Sequence, residues 1–284
     1  MCRERAQNQA GVPMAYVTSS DDTSGDIYAV RRRRLLLATA GLTLTTAVAP
    51  RLLDGGAGRP VAHQHRPDSR DAAAARRVSV SAHRAPAYPL DKPLFYIDDA
   101  SKAIALTIDD GPDPVYTPQV LKLLHQYRVT ATFSMIGIHV AAYPSLVRAV
   151  AAAGHQIANH TWTHPDLARS PAHFVHSELA RASDAIHKVT GVQPALFRAP
   201  YGAWSAAVIR QCEHMKMVPL AWSVDPRDWA RPGTRSIVRN IMGNTRPGSI
   251  ILEHDGGGNR AQTVAALRIV LPRLLHEGYH FRTP

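Results

Sequence analysis

The sequence of 284 residues contains little cysteine, since only Cys2 and Cys212 occur. Cys2 precedes an export-like segment, so a disulfide framework is not expected, and Cys212 is predicted to pack as a small hydrophobic residue. The chain has no C-x-x-C pair, and any metal ion must therefore be held by histidines and carboxylates. No G-x-S-x-G motif surrounds Ser134, Ser205 or Ser223, which argues against a nucleophilic serine hydrolase.

Long hydrophobic runs are also missing. The uncharged stretch 35–49 is shorter than the roughly 20 residues that a membrane-spanning helix needs. It follows four arginines and has the layout of an export signal, loosely of the twin-arginine kind. Residues 31–50 are therefore predicted to be a signal segment or an uncleaved membrane anchor, the alternative being a buried apolar helix. The protein is accordingly expected in the cell wall or outside the cell.

The regions on either side of this segment lack any apolar period. Residues 1–30 are polar and are predicted to be a disordered extension. Residues 51–87 are rich in Arg, Ala, Pro and Gly and are predicted to be a basic flexible linker.

Acidic residues are outnumbered, with 22 Asp and Glu against 33 Lys and Arg and a net charge of +11. Residues 1–90 carry 13 of the basic and 7 of the acidic residues. The remaining excess is spread thinly, with no basic stripe and no interleaved aromatics, so nucleic-acid binding is not expected. A basic protein is equally attracted to an anionic cell wall or membrane surface.

From residue 88 onward, short apolar runs alternate with helical patterns. The predicted strands are 103–108, 130–136, 156–159, 195–198, 217–224, 249–254 and 279–283. The predicted helices are 117–127, 143–153, 171–189, 204–214, 234–243 and 260–276. This alternation is typical of an α/β fold with a helix-covered parallel sheet. We predict a distorted (β/α) barrel with about seven parallel strands, an open doubly wound sheet being the alternative, and a monomeric catalytic domain over residues 88–284.

Chemically capable side chains follow the predicted strands, at the edge where functional residues collect in such folds. They are Asp109, Asp110, His160, His164, Arg198, Tyr201, Asp225, Asp228, Trp229, Leu252 and His254. Together they supply the groups that a hydrolytic metal site needs. On residue type alone, Arg198 could equally form a structural ion pair with Asp225 or Asp228.

Two histidines and one carboxylate form a known ligand set for divalent metals. His160 and His164 are four residues apart, a spacing that places two imidazoles on one face of a helical turn. Either Asp109 or Asp110 can supply the third ligand, and the metal charge would offset the repulsion between these adjacent carboxylates. The set suits zinc, cobalt, manganese or nickel.

Five motifs carry a resemblance to a known family. They are "TIDDGP" (107–112), "HTWTH" (160–164), "RAPY" (198–201), "DPRDW" (225–229) and "LEH" (252–254). In this order they resemble the motifs of the NodB-type polysaccharide deacetylases, carbohydrate esterase family 4, over roughly residues 100–284. Ile108 replaces the phenylalanine that the family usually has. The resemblance implies a distorted (β/α) barrel with fewer than eight units.

The resemblance also implies a role for each matching residue around the metal. Asp110, His160 and His164 would hold a divalent ion, generally zinc or a similar one in this family. Asp109 would be the general base that activates water. Arg198 would pair with Asp109 and keep it ionised.

The remaining roles implied by the resemblance concern the substrate and the leaving group. The backbone N–H of Tyr201 would help to bind the oxyanion. His254 would be the general acid, oriented by Asp228. Leu252 and Trp229 would line the small pocket for the acetyl methyl group.

Some nearby residues receive no catalytic role from the sequence. Glu253 adjoins His254 and should point away from it on a strand. Trp222 is predicted to belong to the core. Trp162 and Trp204 either belong to the core or stack on a sugar ring.

The sequence thus predicts a metal-dependent hydrolase that removes acetyl groups from N-acetylglucosamine in a cell-envelope polysaccharide, with peptidoglycan preferred. A chitooligosaccharide deacetylase and an acetylxylan O-esterase are the alternatives within the enzyme class. An inactive wall-binding protein is the alternative outside it, although none of the expected ligands or the base is missing.

Overall fold

The computed structural model describes residues 88–98 and 101–284. The predicted disordered extension (1–30), signal or anchor segment (31–50) and basic linker (51–87) lie outside the described residues. Within the described part of the chain, no helix combines the length and apolar character that a membrane crossing requires.

Seven strands form the sheet: β1 (Ala103–Asp109), β2 (Thr132–Met135), β3 (Gln156–Asn159), β4 (Leu196–Phe197), β5 (Val218–Pro219), β6 (Ile250–His254) and β7 (His280–Phe281). Their order is β5-β4-β3-β2-β1-β6, with β7 also beside β1, and these described strands all pair in parallel. The predicted parallel α/β architecture is confirmed. In the register of β1 and β6, Asp109 lies opposite His254, so these two side chains start from neighbouring positions on one edge.

The sheet curls into a distorted barrel that isolated bridges close. Leu94 bridges Leu220, Tyr96 bridges Ser249, and Val224 bridges Ile251 of β6. The long strand predicted over 217–224 is therefore wrong in its extent, because β5 is regular only at Val218–Pro219. Beyond β5 the chain leaves β4 and pairs first with residue 94 and then with β6. Pro219 has no N–H to offer a neighbouring strand, which favours such a change of partner.

Helices cover the sheet between the strands. They are α1 (Thr117–Tyr127), α2 (Gly137–Ala142), α3 (Pro144–Ala152), α4 (Ala172–Thr190), α5 (Ala206–Met215), α6 (Thr234–Asn244) and α7 (Ala261–His276). Two short 3₁₀ turns follow β4 and β5, at Pro200–Gly202 and Asp228–Ala230. The sequence predicted six of the seven α-helices and missed α2, whose six residues are too few to show a helical period.

Side-chain alternation along β1 explains where the core and the polar site lie. All seven residues of β1 are buried. Ile104, Leu106 and Ile108 belong to the large hydrophobic cluster that includes residues of α1 and α7. The alternate positions are small or polar, and Thr107 and Asp109 both accept a hydrogen bond from Arg198. One strand therefore carries the apolar core on one face and the polar interior on the other.

The core makes a testable prediction about stability. Phe133 on β2 is fully buried in the large cluster. Replacing it with alanine leaves a cavity, so Phe133→Ala should lower the free energy of unfolding by about 3–5 kcal/mol. Phe95→Ala is the control, because that ring is 47% exposed. Chemical denaturation followed by circular dichroism measures both, and equal losses for the two variants would contradict the assigned core.

Candidate metal centre and active-site cavity

A cavity of about 330 Å³ opens at the carboxyl ends of the strands. It is lined by Asp109, Asp110, His160, His164, Ala199, Tyr201, Trp222, Asp225, Trp229, Leu252 and His254. Eight of the ten residues predicted for the site line this cavity, and the other two, Arg198 and Asp228, are buried next to residues that do. The structure therefore brings the whole predicted set together.

Asp110, His160 and His164 form the candidate metal centre. Their ligand atoms all lie within 4.8 Å of one another. Oδ1 of Asp110 is 3.4 Å from Nε2 of His160 and 3.3 Å from Nε2 of His164. The same Oδ1 is buried and has no hydrogen-bond partner among the described residues. An unpartnered carboxylate oxygen between two imidazole nitrogens fits a divalent cation, which would satisfy all three ligand atoms.

A backbone contact fixes the tautomer of His160. Its Nδ1 lies 2.8 Å from the carbonyl oxygen of Arg198. A carbonyl can only accept, so Nδ1 carries the proton and the lone pair of Nε2 faces Asp110. This arrangement is the one that metal-binding histidines commonly have.

The loop after β3 presents the two histidines in a different way from the one predicted. His160 and His164 do not lie on a helical turn, because Thr161 and His164 have φ angles of 65° and 64°. Oδ1 of Asn159 accepts from the N–H of Thr161, and Oγ1 of Thr161 accepts from the N–H of His164. The carboxylate of Glu178 accepts from the two intervening N–H groups. These bonds hold the imidazole rings 4.9 Å apart.

Asp109 is paired with a buried arginine. Nη1 of Arg198 donates to Oδ1 of Asp109 over 2.8 Å, and both side chains are almost fully buried. Arg198 also donates to Oγ1 of Thr107 and to the carbonyls of Leu220 and Ala221. Of the partners considered from the sequence, the structure therefore selects Asp109, and the two side chains form a buried, charge-assisted hydrogen bond.

His254 is held by the side chain of Asp228. Nδ1 of His254 lies 2.7 Å from Oδ1 of Asp228, and the N–H of His254 donates to Oδ2 over 2.9 Å. Oγ1 of Thr263 also donates to Oδ2. Burial opposes protonation of His254, but the hydrogen bond and negative charge of Asp228 outweigh it and raise the pKa of His254 to about 9. The imidazole is therefore protonated at neutral pH and can donate a proton into the cavity.

The remaining predicted residues shape the mouth and wall of the cavity. Tyr201 has a φ of 60° and its ring packs edge-on against His164, with centroids 4.8 Å apart. Leu252 is buried, whereas Trp229 is 45% exposed. Leu252 and Trp229 are apolar groups of the cavity wall, as predicted.

The tryptophans are distributed differently from the prediction. Trp222 also lines the cavity, so its assignment to the core was incomplete. The two tryptophans left open by the sequence do not line it: Trp162 lies under the guanidinium of Arg181, and Trp204 packs against Phe197.

Sequence reasoning missed Arg260, which lies close to the metal centre. Its Nη2 is 4.0 Å from Oδ2 of Asp110, and its Nε donates to the carbonyl of Gly256. A side chain at Gly256 would collide with the backbone of Asp110. The run "DGGGNR" at 255–260 was the available signal, since consecutive glycines indicate a close approach of backbone.

Comparison with known proteins identifies the family. Residues 97–220 match the polysaccharide deacetylase family model. A chitooligosaccharide deacetylase of Bradyrhizobium sp. (strain ANU 289) is 44% identical over 191 residues, which cover 63% of this chain and 87% of that protein. The chain belongs to the polysaccharide deacetylase family.

Two further relatives of this polysaccharide deacetylase support the same family assignment. A peptidoglycan-N-acetylglucosamine deacetylase of Bacillus cereus is 44% identical over 189 residues, covering 66% of this chain and 88% of that protein. The family 4 carbohydrate esterase from Streptomyces lividans, solved in complex with acetate, is 34% identical with a TM-score of 0.60, covering 64% and 92% of the two chains. The predicted family, barrel and deacetylase class are confirmed.

The candidate metal centre of this deacetylase predicts zinc binding that depends on His160. Removing one of three ligands should weaken zinc binding by more than about 100-fold. Mutation of a residue that only hydrogen-bonds to a ligand already lowers metal affinity by about 10- to 100-fold. Isothermal titration of the full-length chain with zinc measures the affinity of His160→Ala. His173→Ala is the control, because His173 is exposed on α4. Equal affinities for the two variants would place the metal elsewhere.

Proposed function

We propose that this chain is an exported, metal-dependent deacetylase that removes N-acetyl groups from N-acetylglucosamine in peptidoglycan. The observation that carries the proposal is the placement of Asp109 and His254 on neighbouring strands beside the Asp110, His160 and His164 cluster. This placement offers one proton acceptor and one proton donor to a single carbonyl group. We also propose zinc as the metal, with cobalt, manganese and nickel as ions that suit the same ligands.

A bound divalent metal would supply Lewis-acid polarisation of the amide carbonyl and lower the pKa of water. Asp109, paired with Arg198, accepts a proton from the attacking water as the oxygen of that water bonds to the carbonyl carbon. The oxyanion that develops is placed near the backbone of Tyr201. The acetyl methyl group lies against Leu252 and Trp229.

Collapse of the tetrahedral species requires a proton on the leaving nitrogen. His254, protonated and held by Asp228, donates that proton as the C–N bond breaks. The products are acetate and the free amine of the sugar, and one water molecule is consumed. The base acts when water adds to the carbonyl and the acid acts when the tetrahedral species collapses, so each must be in the correct protonation state for its own step.

The proposal also names the substrate polymer and the cellular location of the protein. The segment 31–50 and the basic linker 51–87 support export to an anionic cell envelope, to the wall, the extracellular space or a membrane-anchored position. Peptidoglycan is the acetylated polymer found there. A chitooligosaccharide is the second candidate substrate, because the chitooligosaccharide deacetylase and the peptidoglycan deacetylase are each 44% identical to this chain.

Acetate release tests this proposal. The full-length chain should release acetate from peptidoglycan stripped of O-acetyl groups, and a chelator should abolish the release until zinc is restored. Asp109→Asn removes the base and should lower kcat by about 10²- to 10⁴-fold. Asp184→Asn is the matched control, because that carboxylate is exposed on α4. Release only from chitooligosaccharides or acetylxylan would show that the substrate is one of these and not peptidoglycan. No release of acetate from any of the three substrates would refute the proposed activity.

The pH profile tests the role of His254. Its pKa of about 9 predicts that kcat falls on the alkaline side only as the pH rises through this value, since the acid must be protonated. Asp228→Asn removes the negative charge that raises the pKa, so the alkaline limb should move to lower pH. An unchanged limb in Asp228→Asn would show that His254 is not the group that titrates there.

A further inference from the structure

Glu178 is a buried carboxyl group that the proposed mechanism does not use. It lies in α4, is 3% exposed and is not one of the residues that line the cavity. Its Oε2 accepts from the N–H of Trp162 over 2.9 Å and from the N–H of Thr163 over 2.8 Å. Its Oε1 accepts from Oγ1 of Thr163 over 3.0 Å. Three donors of the loop between His160 and His164 therefore meet one side chain of a neighbouring helix.

The carbonyl groups of the same loop are bound from a different helix. The N–H of Gly137 donates to the carbonyl of Thr161 over 2.9 Å, and the N–H of Ile138 donates to the carbonyl of Trp162 over 3.1 Å. Both N–H groups belong to the first turn of α2, where backbone donors have no partner within the helix. The loop is thus held through its N–H groups by α4 and through its carbonyls by α2.

The side chain in the middle of the loop packs against the same two helices. The guanidinium of Arg181, on α4, lies 4.4 Å from the centre of the Trp162 ring. In α2, a Cβ at Gly137 would collide with that ring. The absence of a side chain at Gly137 therefore lets the backbone of α2 come close to the loop.

This support matters because the loop has a strained backbone. Thr161 and His164 have φ angles of 65° and 64°, a left-handed conformation that residues other than glycine keep only where their surroundings enforce it. Nε2 of His160 and Nε2 of His164 lie 3.4 Å and 3.3 Å from Oδ1 of Asp110. Relaxation of the loop would move the two imidazoles relative to each other, and one cation could no longer bind all three ligand atoms in the same geometry.

We propose that Glu178 is a positioning residue of the candidate metal centre. By accepting from the two N–H groups between the ligands, it fixes His160 and His164 at the separation that a single divalent cation needs. The inference rests on the proposed function in one respect, the binding of a divalent metal by these histidines and Asp110. Glu178 acts through the loop backbone, so the length of its side chain and its acceptor oxygen matter rather than its negative charge.

Three variants of Glu178 separate length, acceptor and charge. Glu178→Gln is uncharged but keeps the length, and its amide oxygen can accept from both N–H groups while its amide nitrogen donates to Oγ1 of Thr163. Glu178→Asp keeps the charge but is one methylene shorter. Glu178→Met keeps the length without an oxygen acceptor.

The affinity for zinc is the first readout. Isothermal titration of the full-length chain with zinc measures it, and the binding that is lost in His160→Ala identifies the site. Glu178→Asp and Glu178→Met should weaken zinc binding by about 10- to 100-fold, the usual loss when a residue that orients a ligand is changed. Glu178→Gln should bind zinc as tightly as the wild type.

The order of the variants decides the inference. Weaker zinc binding by Glu178→Gln than by Glu178→Asp would show that the charge matters and not the position of the loop. Equal zinc affinities for the wild type and all three variants would show that Glu178 does not position the ligands. Either result overturns the proposal, and the comparison of Gln with Asp decides it even if Glu178→Met does not fold.

A control variant separates positioning from stability. Leu267 is 0% exposed in the large hydrophobic cluster and lies on α7, so Leu267→Ala destabilises the core without removing a hydrogen bond to the loop. Leu267→Ala should keep the zinc affinity of the wild type. A loss of zinc affinity in Leu267→Ala as large as that in Glu178→Asp would show that reduced stability is the cause, and the proposal would be wrong.

A second readout reports the geometry of the ligands. The visible absorption bands of the cobalt-loaded chain depend on how the ligands are arranged, so they should agree between the wild type and Glu178→Gln and change in Glu178→Asp. Neither measurement needs turnover. A chain that binds zinc but releases no acetate from any substrate would refute the proposed function, while the role of Glu178 would still be decided. A wild type that binds no zinc at this site would overturn this inference together with the metal centre.

Discussion

The buried guanidinium of Arg198 is the interaction on which the site depends. It lies inside the barrel with 0% exposure and donates to side chains of β1 and to carbonyls of the chain after β5. Its own backbone carbonyl accepts from Nδ1 of His160. One residue therefore pairs with Asp109 and sets the tautomer of His160, a candidate metal ligand, at the same time. Removing one partner of such a buried ion pair typically costs about 3–5 kcal/mol, because it leaves the other charge uncompensated.

Charge balance explains why two adjacent carboxylates are tolerated at the end of β1. Arg198 neutralises Asp109 at 2.8 Å. Among the described residues, the guanidinium nearest to Asp110 is that of Arg260, at 4.0 Å, and the two imidazoles beside Asp110 carry no charge when they act as ligands. The second carboxylate thus lacks a counter-charge as close as the one that Arg198 gives Asp109. A divalent cation between Asp110 and the histidines would provide one, so the electrostatics of the doublet and the ligand geometry lead to the same conclusion.

Sequence patterns predicted the parts of this molecule that follow from local periodicity and chain order. The bounds of α1 and β3 agree with the prediction, and a proline in the first turn marks the start of α1. The site residues were found because parallel strands end at one edge. What the sequence could not supply were contacts made across the fold. The closure through Leu94 and Val224 and the approach of Arg260 to Asp110 join residues that no local pattern relates.

The proposed proton-transfer residues lie at the ends of paired strands, whereas candidate metal ligands lie in loops with strained backbone. Asp109 and His254 start from paired positions of β1 and β6, so regular strand pairing determines where both side chains begin. Asp110, Thr161 and His164 instead have left-handed backbone angles, a conformation that non-glycine residues adopt only when their surroundings enforce it. Strands thus carry the proposed base and acid, while strained loops, held in part by Glu178, present the candidate metal ligands.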